Sequence, residues 1–162
     1  MMTRRERVRI WWLAAWLAAA WLAPACASNR TPERSFTTRA DAGAAGVFDA
    51  AGIPAALVPA SARQIRERRD LDRGAIWVRF DFDAGDLPPL ADRCVPTGEA
   101  RLPGSATRGI GWWPELLRGD AAAARQHFTL YACRESGGAI AFAAVHRAMP
   151  TAFYWRDTGA GE

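Results

Sequence analysis

The sequence of 162 residues contains no lysine, and all 21 of its basic side chains are arginine. Four of these arginines and one glutamate precede residue 10, so removal of that segment would lower the net charge from +4 to +1. A domain with so small a net charge lacks the basic field that steers proteins toward polyanions. We therefore predict no nucleic-acid binding.

The sequence also lacks the short motifs that mark common catalytic and metal centres. It has no CxxC or HxxxH pair, no GxSxG frame and no GK[ST] phosphate loop. Asp81 and Asp83 would lie about 6–7 Å apart on one strand face, near the spacing of glycosidase carboxylates, but Arg79 shares that face. His127 and His146 have no evident acidic or nucleophilic partner. We predict a protein that is not an enzyme and has no cofactor or metal site.

The longest apolar run lies at the amino terminus, where residues 1–26 have the order of an export signal: basic, apolar, then small. The apolar part, residues 10–23, has 14 residues. It is shorter than the roughly 17–25 residues that cross a bilayer. We predict a cleaved signal peptide and an exported protein.

Residues 22–26 (Leu-Ala-Pro-Ala-Cys) resemble the lipobox of bacterial lipoproteins, with Ala23 at the position where that family prefers leucine. The resemblance implies that Cys26 becomes the first mature residue and carries a lipid that anchors the protein to a membrane. Ala27 and Ser28 lack the aspartate that marks inner-membrane retention in that family, which favours the outer membrane. Ordinary cleavage to a soluble periplasmic or secreted protein, and an uncleaved anchor, stay open as alternatives.

Composition divides the rest of the chain into a tether, a domain and a tail. Residues 27–46 have few large apolar side chains, so we predict a flexible tether there. We predict a single folded domain over residues 47–157 and a disordered tail over residues 158–162.

Alternating apolar residues predict the strands of this domain. In the first strand, Ile76, Val78, Phe80 and Phe82 would face the core. The predicted strands are residues 76–83, 127–134, 139–146 and 152–155, and short helices are expected after the N-caps Ser61 and Asp86 and near Trp112. The predicted fold class is α+β, an antiparallel sheet of about four strands with two or three short helices on one face.

Two cysteines, Cys94 and Cys133, remain if the leader is removed. In an oxidising compartment such a pair predicts a disulfide. Two separately buried thiols are the alternative, and a metal site that includes a histidine is another. His127 would lie about 20 Å from Cys133 along one strand, too far for both to bind the same ion.

Four short motifs resemble a group of small exported bacterial proteins, many of which carry lipoprotein leaders. They are Pro59-x-Ser61-Ala62-x-x-Ile65, Trp77-x-Arg79-Phe80, Trp112-Trp113-Pro114 and Phe153-Tyr154-Trp155. The resemblance covers roughly residues 53–156. It implies an exported protein with a single domain, and it implies no chemistry, because the group has no assigned biochemical role.

Aromatic side chains are the remaining indication of function. If exposed, five of them would form an interaction patch: Trp77, Trp112, Trp113, Tyr154 and Trp155. If buried, they would instead close the ends of a small core. We expect an envelope domain that binds a protein partner, with binding of a small ligand or glycan near Trp112 and Trp113 as the alternative.

Overall fold

A computed structural model of the protein describes residues 32–48, 52–90, 93–135 and 138–156. These residues contain seven strands in one antiparallel sheet, in the spatial order β1-β2-β3-β7-β6-β5-β4. The strands are β1 Glu33–Thr38, β2 Arg63–Asp70, β3 Ala75–Asp81, β4 Cys94–Pro96, β5 Phe128–Arg134, β6 Ile140–His146 and β7 Thr151–Arg156. The α-helices are α1 Arg39–Ala44 and α2 Ala121–His127, and 3₁₀ turns span Ala55–Leu57, Gly104–Thr107 and Glu115–Leu117.

Apolar side chains cover both faces of the sheet. On the first face, Val78 and Tyr154 belong to a layer that includes residues of α1 and of the segments 53–62 and 82–90. On the second face, Trp77 and Trp155 belong to a layer that includes residues of the segment 100–124. Because its two sides are both covered, β7 is buried at five of its six positions. A strand buried on both sides loses the usual alternation of polar and apolar residues.

The predicted fold class is wrong. The four predicted strands are present as β3, β5, β6 and β7, but β1, β2 and β4 add three more. Within the described residues, α2 is the one helix that reaches seven residues. Apolar layers cover both faces of the sheet, whereas the prediction placed helices on one face. The domain is mainly an antiparallel β-structure.

The helix predicted to begin at Ser61 is replaced by β2. Ile65 and Glu67 are buried on the first face. Arg66 and Arg68 lie on the second face, directly opposite Arg79 and Trp77 of β3 in the strand register. Side chains that alternate between two faces have the period of a strand and not of a helix.

Ser61 and Asp86, both expected to cap helices, bind each other instead. The Ser61 N–H donates to Asp86 Oδ2 at 2.9 Å, and the Ser61 hydroxyl accepts from the Asp83 N–H at 3.0 Å. The backbone bond from Ser61, with a smaller contribution from its hydroxyl, lowers the pKa of Asp86. These bonds join the segment before β2 to the segment after β3, and no helix begins at either residue.

β1 and α1 lie inside the segment that the sequence predicted as a tether. β1 pairs with β2, and this places Phe36 opposite Ile65. α1 begins with a capping box, in which the Thr38 hydroxyl accepts from the Asp41 N–H at 3.2 Å and the Asp41 carboxylate accepts from the Thr38 N–H at 3.3 Å. Residues 33–46 are therefore part of the folded structure.

Candidate functional site

The five aromatic residues expected as an interaction patch are all buried. Trp112 is the most exposed of them, with 8% of its surface accessible. Trp113 packs edge-to-face against Trp112, Phe153 and Trp155, with ring centroids 5.4–5.9 Å apart. Trp77 lies in the same apolar layer. These residues are part of the core and do not form an exposed patch. Burial in the core was the alternative that the sequence left open.

Tyr154 is separated from the tryptophans because it lies on the first face. Its hydroxyl donates to the Glu135 carboxylate, which also accepts from Arg156 Nη1 at 2.7 Å. Burial, and then the Glu135 carboxylate, raise the pKa of Tyr154 well above its usual range. The phenol therefore stays protonated and serves as a buried donor.

Three arginines lie side by side on the second face, next to Trp77. Arg66 and Arg68 are on β2 and Arg79 is on β3. Arg66 is directly opposite Arg79 of β3 in the strand register, and Arg68 lies between Trp77 of β3 and Glu33 of β1. All three are half-buried. We call Arg66, Arg68 and Arg79 the arginine face.

Hydrogen-bond donors outnumber acceptors on the arginine face. Within the described part of the chain, Arg66 and Arg68 have no hydrogen-bond or ion-pair partner. Arg79 donates to Asp81 at 3.1 Å through Nη2, but its Nε is buried without an acceptor, as is Trp77 Nε1. Like charges directly opposite each other in a sheet are destabilising. Such a surface favours an anionic group that satisfies the donors.

An ionic cluster on the first face has a structural role. Glu67 is fully buried and accepts from Arg34 Nε at 2.7 Å and from Arg69 Nε at 2.5 Å. The same arginines donate to the carbonyls of Ala45 and Gly46 at 2.9 and 2.8 Å. We call Arg34, Glu67 and Arg69 the buried triad. It fastens β1 and the segment after α1 to the centre of β2.

The catalytic candidates weighed in the sequence are dispersed or already occupied. Asp81 accepts from Arg79 and from the Thr151 hydroxyl, the latter at 2.7 Å, whereas Asp83 is bound to Arg63. His146 Nδ1 accepts two backbone N–H groups at 3.1 Å. Across the described ranges, no three His, Cys, Asp or Glu side chains come together as a metal site.

Cys94 and Cys133 form the disulfide predicted from the sequence. They are direct register partners on β4 and β5. Both are buried, with 4% and 1% of their surfaces accessible. The bridge therefore joins the short strand at the end of the sheet to its neighbour.

Cys26 and the predicted signal peptide lie outside the described residues, as do residues 27–31 and the predicted tail over 158–162. Among the helices of the described part, none has the length and apolarity of a membrane span. The lipid anchor and the cleaved leader stay predictions.

The first three strands of this antiparallel domain are also the part that resembles known sequences. Residues 31–81 match the family model described as the YbbD head domain, a family of bacterial proteins. The match begins just before β1 and ends with the last residue of β3, so it contains the arginine face and the buried triad. No curated protein and no solved structure matches the chain.

The arginine face was not predicted from the sequence, because the segment that contains Arg66 and Arg68 was expected to be a helix. On a helix, Arg66 and Arg68 would have pointed in different directions, and the pair would have belonged to an ordinary solvated surface. The available indication was the spacing of two around Glu67, which places Arg66 and Arg68 together only if the segment is a strand.

Proposed function

We propose that this protein is an exported envelope lipoprotein, anchored through Cys26, whose domain binds a protein partner through the arginine face. The partner presents an extended segment with acidic side chains. The proposed function is binding, and its support is the arrangement of cations on β2 and β3. Ligand binding near Trp112 and Trp113 is not proposed, since both side chains are buried.

The observation that carries this proposal is the pair Arg66 and Arg68, which have no partner among the described residues. Both are half-buried, and Arg66 is held opposite a second cation, Arg79. An arginine that is partly desolvated and faces a like charge gains most from a carboxylate, which its planar guanidinium binds through two hydrogen bonds.

The geometry of β2 favours an extended partner. Arg66 and Arg68 lie two residues apart on one strand, a repeat of about 6–7 Å. Alternate side chains of an extended peptide have the same repeat, so two carboxylates of one partner segment match the two guanidinium groups. A protein with a net charge of only +1 without its leader binds such a segment through this local arrangement and not through its overall charge.

Reversing the charge of the arginine face is expected to abolish partner binding. The test compares a double variant, Arg66→Glu with Arg68→Glu, with a matched control, Arg108→Glu with Arg134→Glu, which changes the net charge equally at two exposed positions. Proteins retained from envelope extracts by each purified form are quantified by mass spectrometry. We expect one set of proteins, rich in acidic segments, to be retained by the wild type and the control and to fall at least tenfold with the first variant.

Two further measurements make that comparison decisive. Urea unfolding establishes that both variants are folded, and retention at rising salt establishes whether binding is electrostatic. If a folded Arg66→Glu/Arg68→Glu variant retains the same proteins as the wild type, the arginine face is not the binding surface and the proposal fails.

Lipidation is expected to depend completely on Cys26. Cells that express the protein are grown with labelled palmitate, and the mature chain is isolated. We expect label in the wild type and in Ser28→Ala, and none in Cys26→Ala. Because Cys94 and Cys133 remain in that variant, residual label would show acylation elsewhere. An unlabelled wild-type chain would refute the anchor.

A further inference from the structure

A small cavity that is open to solvent lies beside the arginine face, between β1 and β2. Its volume is about 110 Å³, and it is lined by Ser35, Phe36, Thr37, Gln64, Ile65 and Arg66. A single water molecule needs about 10–15 Å³ of such space. The cavity therefore has room for a carboxylate together with water. We call it the bulge cavity.

Of the polar side chains around the bulge cavity, Ser35, Thr37 and Gln64 are exposed to solvent and Arg66 is half-buried. Within the described part of the chain, the hydroxyls of Ser35 and Thr37, the amide of Gln64 and the guanidinium of Arg66 have no hydrogen-bond partner. The hydroxyls and the amide can donate or accept hydrogen bonds, whereas Arg66 only donates and adds a permanent positive charge. The charge of Arg66 is what favours an oxyanion here.

The backbone at the cavity is held in an unusual conformation. Between Arg63 and Arg66 the register of β2 against β3 shifts, so that Gln64 and Ile65 stand opposite Phe80 alone. This is a β-bulge, a feature that often re-aims side chains beside binding sites. Gln64 has φ of 50°, the one positive value among the described residues other than glycine. Glycine would adopt this conformation with less strain, yet the position carries an amide side chain.

We propose that the bulge cavity is an oxyanion subsite that binds one carboxylate side chain of the partner. This inference rests on the proposed function, because the carboxylate comes from the segment that lies along the arginine face. Arg66 supplies the charge-assisted hydrogen bonds, and Ser35, Thr37 and Gln64 supply the neutral ones.

The probe for this subsite is N-acetylglutamate amide, and its neutral isostere, N-acetylglutamine amide, is the control ligand. Each is titrated into the purified full chain while backbone amide NMR shifts are recorded. We expect saturable shifts at residues 35–37 and 64–66 with the glutamate probe and none with the isostere. Equal shifts with both ligands, or shifts confined to other regions, would overturn the subsite.

Two matched variants separate the cavity from the general charge of the arginine face. Arg66→Gln and Arg68→Gln remove the same charge from the same strand face, but only Arg66 lines the cavity. We expect Arg66→Gln to weaken binding of the glutamate probe at least tenfold, and Arg68→Gln to weaken it less than threefold. Equal weakening by both variants would mean diffuse attraction and would overturn the proposal.

Inorganic phosphate distinguishes a partner side chain from a free anion. We expect phosphate to bind the cavity no more tightly than the glutamate probe; tenfold tighter binding would assign the cavity to free phosphate and would reject the partner carboxylate.

The proposed function and the proposed subsite can fail independently of each other. If charge reversal abolishes partner retention but the glutamate probe does not bind here, the proposed function stands and the subsite falls. If the probe binds here but retention is unchanged, the partner is rejected and with it the source of the carboxylate.

Discussion

Replacing Glu67 by alanine is expected to lower the free energy of unfolding by about 3–5 kcal/mol, because its fully buried carboxylate accepts hydrogen bonds from the Nε atoms of both Arg34 and Arg69. Arg69 is the more buried partner, with 15% of its side chain exposed against 34% for Arg34. Without the carboxylate, both arginines lose the hydrogen bonds that their Nε atoms donate to Glu67. Urea unfolding monitored by tryptophan fluorescence measures the loss.

The matched control for this prediction is Glu115→Ala. Glu115 is also bound to an arginine, Arg118, but 83% of the Glu115 side chain is exposed. Exposed pairs contribute about 0–1 kcal/mol, so we expect a loss below about 1 kcal/mol for the control. If Glu67→Ala costs no more than Glu115→Ala, the buried triad does not stabilise the fold.

The same variant is expected to loosen one segment more than the rest. Arg34 and Arg69 hold the carbonyls of Ala45 and Gly46, and the next residue, Val47, donates its N–H to Ala42 at 3.0 Å. Hydrogen exchange of the Val47 amide should therefore accelerate more in Glu67→Ala than exchange in β6 and β7. Uniform acceleration across the sheet would contradict this local role.

Sequence periodicity identified the strands whose buried residues are apolar. In β3, Val78 and Phe80 face one layer and Trp77 faces the other, so the segment is apolar almost throughout. β5, β6 and β7 are similarly enriched in apolar residues and are separated by turns. The layers above the two faces were not predictable in the same way, because the segments that form them are largely irregular and their buried residues have no regular spacing.

β2 was not predictable from apolar periodicity because one of its core residues is a glutamate. Ile65 and Glu67 occupy equivalent buried positions, but a buried carboxylate is possible only with the arginines on both sides of it. One of those arginines is on β1, within the segment predicted as a tether. The strand and its neighbour therefore had to be recognised together, and neither has enough apolar residues to be recognised alone.

Of the features considered for the functional site, the disulfide was predictable from residue type alone, whereas the burial of the tryptophans and the position of the arginines were not. Two cysteines indicated a disulfide, and the structure contains it. The tryptophans were prominent in the sequence, but burial depends on the layer above them, which composition does not specify. The arginine face depends on strand register, since Arg66 meets Arg79 only across the β2–β3 pair. That register includes a bulge at Gln64, and nothing in the local sequence marks it.

Removing the disulfide is expected to lower the free energy of unfolding by about 4 kcal/mol, because a bridge between residues 39 apart restricts the unfolded chain by that amount in the chain-entropy model. The test compares the oxidised wild type, the reduced wild type and the double variant Cys94→Ala with Cys133→Ala. The reduced form keeps both side chains, so its difference from the double variant measures packing, and its difference from the oxidised form measures the bridge.

The location of the bridge adds a local expectation to this global one. β4 has three residues, and among the described strands it pairs with β5 alone. Without the bridge it depends on few backbone bonds, among them Thr97 N–H to Leu130 O at 2.9 Å and Arg134 N–H to Arg93 O at 3.1 Å. We expect these two amides to exchange faster in the reduced protein, whereas amides of β3 and β7 follow global unfolding alone. If reduction leaves the urea midpoint unchanged, the bridge does not constrain the unfolded chain. If the midpoint falls but the Thr97 and Arg134 amides behave like those of β3, the bridge acts on the unfolded state and β4 is held by its packing.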